Sequence, residues 1–304
     1  MNELILTNEL LENILEFIKI RRYSYITYNQ YSARLIAFFK KYKVLNRENL
    51  MHYLKKIKYP SERTILTLIN EYCFQENIDF RITIPRMISK ERKFPKTLQI
   101  EEIKLMILSA PKPYDLMLRC IFNIGGGLRI SEAIKLSWNH FRWIEWLKEK
   151  EDGILVIKDT KRGKNIVVNV PKQLMNDLYL FAIENDLLNE WRVPVGGVVF
   201  PMGIGEWQSD LYQYDLEKWK QEYLKHSYDW FRYNILKKYC EKAIGKKINV
   251  HMLRHSRATD LLDQGIPIER IRELMGHSKI ETTMIYAKMN PKKTLEVVKG
   301  INEI

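Results

Sequence analysis

Four short stretches of the chain hold side chains suited to work on a phosphodiester. They are Gly127-Leu128-Arg129-Ile130-Ser131-Glu132, Thr160-Lys161, His251-Met252-Leu253-Arg254-His255, and Leu274-Met275-Gly276-His277 with Tyr286 nine residues further on. Arg129 follows the run Gly125-Gly126-Gly127 at the predicted start of a helix. Flexible backbone, exposed N–H groups and the positive end of a helix dipole all favour an anion there. Arg254 adds a second guanidinium, and two planar forks suffice to hold the two non-bridging oxygens of one phosphate. A transition state that gathers charge on those oxygens needs such preorganised cations. His251 and His277 can take, give or share a proton near neutrality.

Tyr286 is the candidate nucleophile. A free phenol has a pKa near 10, so at pH 7 roughly one in 1,000 is ionised, a penalty of about 4 kcal/mol. Two nearby guanidinium groups and a histidine can supply much of that by stabilising negative charge. The leaving oxygen needs a proton, and Lys161, on the loop of a predicted β-hairpin, can deliver it as a general acid. Lys158 and Lys164 lie on the same hairpin.

Each stretch alone is weak, because the chain has 17 tyrosines and six histidines. A metal hydrolase is one rival, since His251 and His255 stand four residues apart like the ligands of a zinc helix. The zinc motif needs glutamate where Met252 stands, and Arg254 would repel a cation. No metal or other cofactor is therefore expected. Gly125-Gly126-Gly127 lacks the Gly-Lys-Ser/Thr that completes a phosphate-binding P-loop.

The elements that must position these groups read as mainly helical. Leu11, Ile14, Leu15 and Ile18 recur at helical spacing, and further helices are expected from Ser24 or Thr27 through Phe38, over 45–57 and over 61–74. Residues 1–84 thus form a small all-helical unit, with strand-like alternation first at Phe80-Arg81-Ile82-Thr83-Ile84. Residues 85–96, with Pro85, Pro95 and the cluster Lys90-Glu91-Arg92-Lys93, read as a linker. Residues 97–304 form the second unit. Helices are expected over 97–108, 114–124, 130–136 and 174–185, and Ile154–Ile157 and Ile166–Val168 read as a small antiparallel β element. A helix over 251–263 closes at Gly265 and one over 268–275 at Gly276. Ser278 with Glu281 reads as a capping box opening the helix that carries Tyr286. Residues 186–248 show no clear period, and the tail, Asn290–Ile304, has the spacing of a short amphipathic helix.

Composition agrees with a polyanion as partner. The chain has 304 residues, is 46% hydrophobic and carries a net charge of +13. That is enough apolar content for two domains with real cores. Residues 1–90 hold 15 Lys/Arg against nine Asp/Glu, so the N-terminal third is the more basic part. Such charge gains affinity for nucleic acid by releasing counterions. The three cysteines, Cys73, Cys120 and Cys240, are widely spaced and odd in number, as expected of reduced, buried thiols in a cytoplasmic protein. No apolar run approaches a membrane span, and the start of the chain lacks signal-peptide features.

In combination and order, these stretches resemble the tyrosine recombinase (phage integrase) family, which includes the Xer enzymes. The family pattern has an arginine in Gly-Leu-Arg-x-Ser-Glu, a lysine on a β-hairpin, a His-x-Leu-Arg-His box, a Leu-Gly-His-Ser box and a tyrosine nine residues after that last histidine. Thr282-Thr283-Met284-Ile285-Tyr286 is close to the nucleophile segment, while Met275 stands where leucine is common. The resemblance covers residues 97–290 firmly and the N-terminal unit loosely.

It implies a two-domain architecture: an N-terminal helical core-binding domain and a C-terminal catalytic domain, together a basic clamp around duplex DNA at a recombination site. It implies that Arg129 and Arg254 clamp the scissile phosphate, with His251 and His277 bonding or exchanging protons there. Tyr286 would attack to leave a 3′-phosphotyrosine and a free 5′ hydroxyl, without ATP or metal. Glu132 would support the arginines, and His255 would pack or bond behind them. Two rounds of exchange would pass through a Holliday junction, with four subunits assembled and the tail docked on a neighbouring protomer. The connection Trp138–Asp152 and residues 201–248 are longer than Xer enzymes tend to have. Two other readings share much of this pattern: a type IB topoisomerase-like relaxing enzyme, and a non-catalytic DNA-binding protein derived from a recombinase.

Overall fold

The computed structural model describes residues 3–21, 23, 25–56, 60–84, 94–157, 165–202 and 216–289. The chain divides into two compact units, Met1–Arg92 with Asp215–Gln221, and Lys93–Tyr214 with Glu222–Ile304. The architecture is mainly helical, with two small antiparallel sheets.

Among the described residues, the stretch 1–92 holds the helices Asn8–Ile20, Tyr25–Lys41, Arg47–Lys56 and Pro60–Gln75. The first starts where the Thr7 hydroxyl accepts the Leu10 N–H, satisfying a donor that the helix leaves open. Its apolar stripe buries Ile14, Phe17 and Ile18 against Leu35, Phe38, Leu66 and Ile69. The unit is not wholly helical, because Leu4–Ile5 pairs antiparallel with Val44–Leu45. Two residues per strand are too few for alternation to be read from sequence.

The expected strand at Phe80–Ile84 is absent. Phe80 and Ile82 are buried and Arg81 is exposed, so the alternation is real. The backbone partner is a side chain instead: the Asn70 amide donates to Ile82 O at 2.6 Å and accepts from Ile82 N at 2.7 Å. One carboxamide here reproduces the two bonds a neighbouring strand would make.

The larger unit is built around one apolar core. Helices Ile100–Ser109 and Tyr114–Asn123 pack with Val250–Asp263 and with the hairpin of Gly153–Ile157 and Ile166–Val170. The hairpin register pairs Gly153 with Val170 and Ile157 with Ile166. Residues 138–152, expected to be a long connection, fold as a short turn and the helix Trp143–Glu149. Trp138, Trp143 and Trp146 are buried there beside Phe141 and Tyr179, and Lys150 sits 4.0 Å from the Trp146 ring centroid.

The unorganised region 186–248 contains a long helix. It runs over Leu216–Phe231, continues through Arg232–Cys240 with wider i→i+5 turns, and ends at Glu241–Ile244. The buried positions, Ser227, Phe231, Ile235, Leu236 and Cys240, step by four and then by five. A window tuned to 3.6 residues loses that face as it drifts. The three cysteines are free and buried, and burial raises each thiol pKa, that of Cys240 to about 11. No described helix is long and apolar enough to cross a membrane.

Candidate active site

The helix Val250–Asp263 is the spine of the site. Asn249 caps it, its side-chain oxygen accepting the His251 N–H at 2.9 Å. Ser256 ties the other face to the core by accepting the Leu98 N–H at 2.7 Å. Arg254 lies inward and is only 6% exposed. Its guanidinium donates through Nη1 to Gly127 O and through Nη2 to Met275 O. Two carbonyls from distant stretches thus fix one side chain from a third. Burial first, and the Arg129 charge second, lower the pKa of Arg254.

The three glycines do a different task from the one expected. Their neighbourhood offers few open N–H groups: Gly126 N donates to Leu274 O, Gly127 N to Ile124 O, and Leu128 N to Ile121 O. Close approach is what requires them. A Cβ on Gly126 would lie 2.6 Å from the Met275 side chain and 2.7 Å from its backbone nitrogen. One on Gly127, whose φ is +89°, would lie 3.2 Å from Arg254 Cα. The glycines let the loop, the spine and the Leu274-Met275 corner meet, and that meeting gathers the arginines.

Arg129 precedes the short helix Ile130–Ile134. Glu132 holds it twice, accepting its backbone N–H at 2.7 Å and its Nη1 at 2.7 Å. Nη2 of Arg129 reaches Met275 O at 3.5 Å, the same carbonyl that Arg254 engages. Two guanidinium groups therefore converge on one point with Glu132 as the ion-paired carboxylate. A pair of cations with one counter-charge favours a further anion.

His251 is on the first turn of the spine, with Nδ1 3.3 Å from Asn249 Oδ1. Burial, then Arg254 and Arg129, lower its pKa, which keeps the ring neutral at pH 7. His277 follows the closing Gly276, whose φ is +59°, and its Nδ1 lies 2.9 Å from Thr283 Oγ1. Thr283 is fully buried and was not singled out from sequence. Its only signal there was its place between His277 and Tyr286.

The segment carrying Tyr286 is shorter than expected. Ser278 does not cap it. A single turn over Ile280–Thr282 is followed by a helix over Met284–Met289, and Tyr286 N donates to Thr283 O at 3.0 Å. Tyr286 is 2% exposed, packed in a small cluster with Ala258, Leu261, Ile271 and Met275. Its phenol oxygen lies 2.7 Å from Nδ1 of His255. Burial pushes the phenol pKa up to about 12, against a smaller lowering by Arg254. The arginines were expected to ease ionisation, but in this state desolvation outweighs them. His255 was placed behind the site from sequence, whereas its ring touches the phenol directly. Lys161, Lys158 and Lys164 lie outside the described residues, as does the tail from 290.

A mainly helical chain that gathers Arg129, His277 and the buried Tyr286 around a helix carrying His251, Arg254 and His255 has the make-up of a tyrosine-dependent strand transferase. The model of the phage integrase family matches residues 96–293. "Tyrosine recombinase XerA" of Pyrococcus furiosus is 26% identical, across 99% of this chain and 97% of the relative. A Methanocaldococcus jannaschii protein named as an integrase/recombinase is 38% identical, across 84% of this chain and 74% of its own length. The fold is shared with XerH site-specific recombinase bound to its difH substrate, with a TM-score of 0.61, 20% identity and 98% of this chain covered against 85% of that one. It is shared also with a lambda integrase tetramer bound to a Holliday junction, at a TM-score of 0.56 and 14% identity over 94% of this chain and 78% of that one. The chain belongs to the phage integrase family of tyrosine recombinases.

Proposed function

We propose that the chain is a site-specific recombinase that cuts and rejoins duplex DNA through a 3′-phosphotyrosine on Tyr286. The observation that carries this is the meeting of Arg129 and Arg254 at Met275 O, with Arg254 on the same helix as His255, which touches the Tyr286 phenol. Arg129 and Arg254 hold the non-bridging oxygens of the scissile phosphate. The neutral ring of His251, on the same helix, hydrogen-bonds there, and His277, braced by Thr283, does so from the other side. The Tyr286 oxygen forms a bond to phosphorus as the bond to the 5′ oxygen breaks, and Lys161 supplies the proton that oxygen needs. The energy of the broken ester is kept in the new one, so a 5′ hydroxyl from a second duplex can reverse the step. Neither ATP nor a metal enters the balance.

Residues 1–84 act as the DNA-gripping core-binding domain, 85–96 as linker and 97–304 as the catalytic domain. Four subunits assemble on two recombination sites and pass a Holliday junction between them, with residues 290–304 docking on a neighbour. The reaction belongs in the cytoplasm, with the DNA it acts on. The full-length similarity to Xer-type recombinases favours exchange between duplexes over relaxation of one. Incubation with two cognate duplexes should give recombinant products and junction intermediates. Relaxation of supercoils with no exchange would instead support a type IB topoisomerase-like enzyme. Deleting residues 291–304 should impair assembly on DNA more than monomer folding, measured by gel shift and thermal melt. Equal losses in both would reject docking in trans.

A further inference from the structure

We infer that His255 is the group that takes the proton from Tyr286 when the phenol attacks phosphorus, and returns it when the strand is resealed. This rests on the assignment of Tyr286 as nucleophile and adds a partner for its proton, a role left open above. Of the three histidines near the site, His255 is the one whose ring nitrogen lies within hydrogen-bond distance of the phenol oxygen, at 2.7 Å. His251 is engaged with Asn249 and His277 with Thr283. The rings of His255 and Tyr286 lie 5.8 Å apart and tilted by 48°, so they meet through Nδ1 and the phenol oxygen and do not stack.

The transfer requires the His255 tautomer that carries its hydrogen on Nε2 and leaves Nδ1 open toward the phenol. The Tyr286 phenol is held neutral by burial. The His255 ring is kept neutral by burial and by the neighbouring His251 and Arg254. A neutral phenol facing a neutral imidazole donates its O–H to the unprotonated nitrogen. The charged and titratable groups around the pair are Arg254 and His251 on the same helix, with Arg129 beyond them. A phenolate and an imidazolium formed together make an ion pair, so moving the proton within the pair is less costly than ionising the phenol into solvent. In the forward step the O–H bond breaks, the proton passes to Nδ1, the oxygen–phosphorus bond forms, and the bond to the 5′ oxygen breaks. In resealing, the imidazolium protonates the phenolate that leaves.

The test is the rate of covalent adduct formation on a nicked suicide duplex carrying the cognate site. Wild type is compared with Tyr286→Phe, His255→Gln and His255→Ala, each first checked for DNA binding and thermal stability. His255→Gln keeps an acceptor but cannot take a proton. It should form adduct about 100-fold or more slowly. His255→Ala should be slow also and should regain rate when imidazole is added to the buffer. A substrate with sulfur in place of the 5′ bridging oxygen, which leaves without an acid, should not rescue either variant. An adduct rate in His255→Gln within threefold of wild type would overturn the proton-transfer role. A faster rate would overturn it too, and would make the contact a latch that restrains the tyrosine. An adduct retained by Tyr286→Phe would overturn the nucleophile assignment itself, and with it this inference.

Discussion

The two halves of the site are supported in different ways. The arginine side is fastened to the main core: Arg254 is held by two carbonyls, Arg129 by both oxygens of Glu132, and the glycine loop closes against Met275 without room for a methyl group. The tyrosine side hangs on a single turn, a helix of six residues, and a small cluster of five buried side chains. A phosphate clamp must be rigid, because electrostatic stabilisation depends on charges that need not reorganise. If Tyr286 is the nucleophile, as proposed, a phenol that is 2% exposed must move, or its cover must open, before it meets a phosphorus atom. Under the proposed function the difference is a division of labour, in which the phosphate site is preformed and the tyrosine is admitted to it.

Substitutions on the two sides should therefore differ in kind. The largest effect is expected from Arg254→Lys. An ammonium cannot span the carbonyls of Gly127 and Met275, so adduct formation should fall by about 1,000-fold and stability by about 2–4 kcal/mol. A suicide-substrate assay with a denaturant melt checks both. Gly126→Val should come next. It drives a side chain into Met275 and should cost about 2–3 kcal/mol and about 100-fold in rate, read by the same pair of measurements. Normal stability in either variant would break the claim that the clamp is part of the core.

Smaller effects sharpen the other side. Thr283→Val keeps the shape but removes the hydroxyl that His277 meets, and should slow cleavage about tenfold while lowering stability by about 1 kcal/mol. Single-turnover kinetics with a thermal melt would show whether rate and stability separate. The smallest effect lies in pH dependence. The phenol of Tyr286 ionises near 10 in the unfolded chain and at about 12 in the folded one. The unfolded state therefore loses its proton first as pH rises, and stability falls through that window. Wild type should lose about 2 kcal/mol more than Tyr286→Phe between pH 10 and 12, and almost nothing extra well below pH 10. Parallel curves would mean that the tyrosine is not buried in solution.

Much of this arrangement was legible before any coordinates. The helices around Arg254 and before His277 follow from apolar spacing closed by Gly265 and Gly276, and the hairpin follows from two β-rich runs. Those are local signals, and local physics decides them. What could not be read was pairing at a distance. Asn70 acting as a strand partner for Ile82 depends on a fold contact, not on a period. The helix through Phe231 and Cys240 hides because wider turns shift its buried face. The glycine run looked like an anion cradle and acts as a spacer, since the Gly126 and Gly127 N–H groups are spent on Leu274 O and Ile124 O, and that of the following Leu128 on Ile121 O. His255 looked like support, and only the packing of the Tyr286 helix brings it to the phenol. Sequence order named the candidate residues, but which nitrogen faces which oxygen was a tertiary matter.

The central claim is that Tyr286 becomes the covalent link to DNA. The most direct measurement is to trap the adduct on a suicide duplex, digest it, and locate the modified residue by mass spectrometry. The account predicts a 3′-phosphate ester on the oxygen of Tyr286 and no adduct in Tyr286→Phe. An ester mapped to any other residue, or one on a 5′ phosphate, would contradict it.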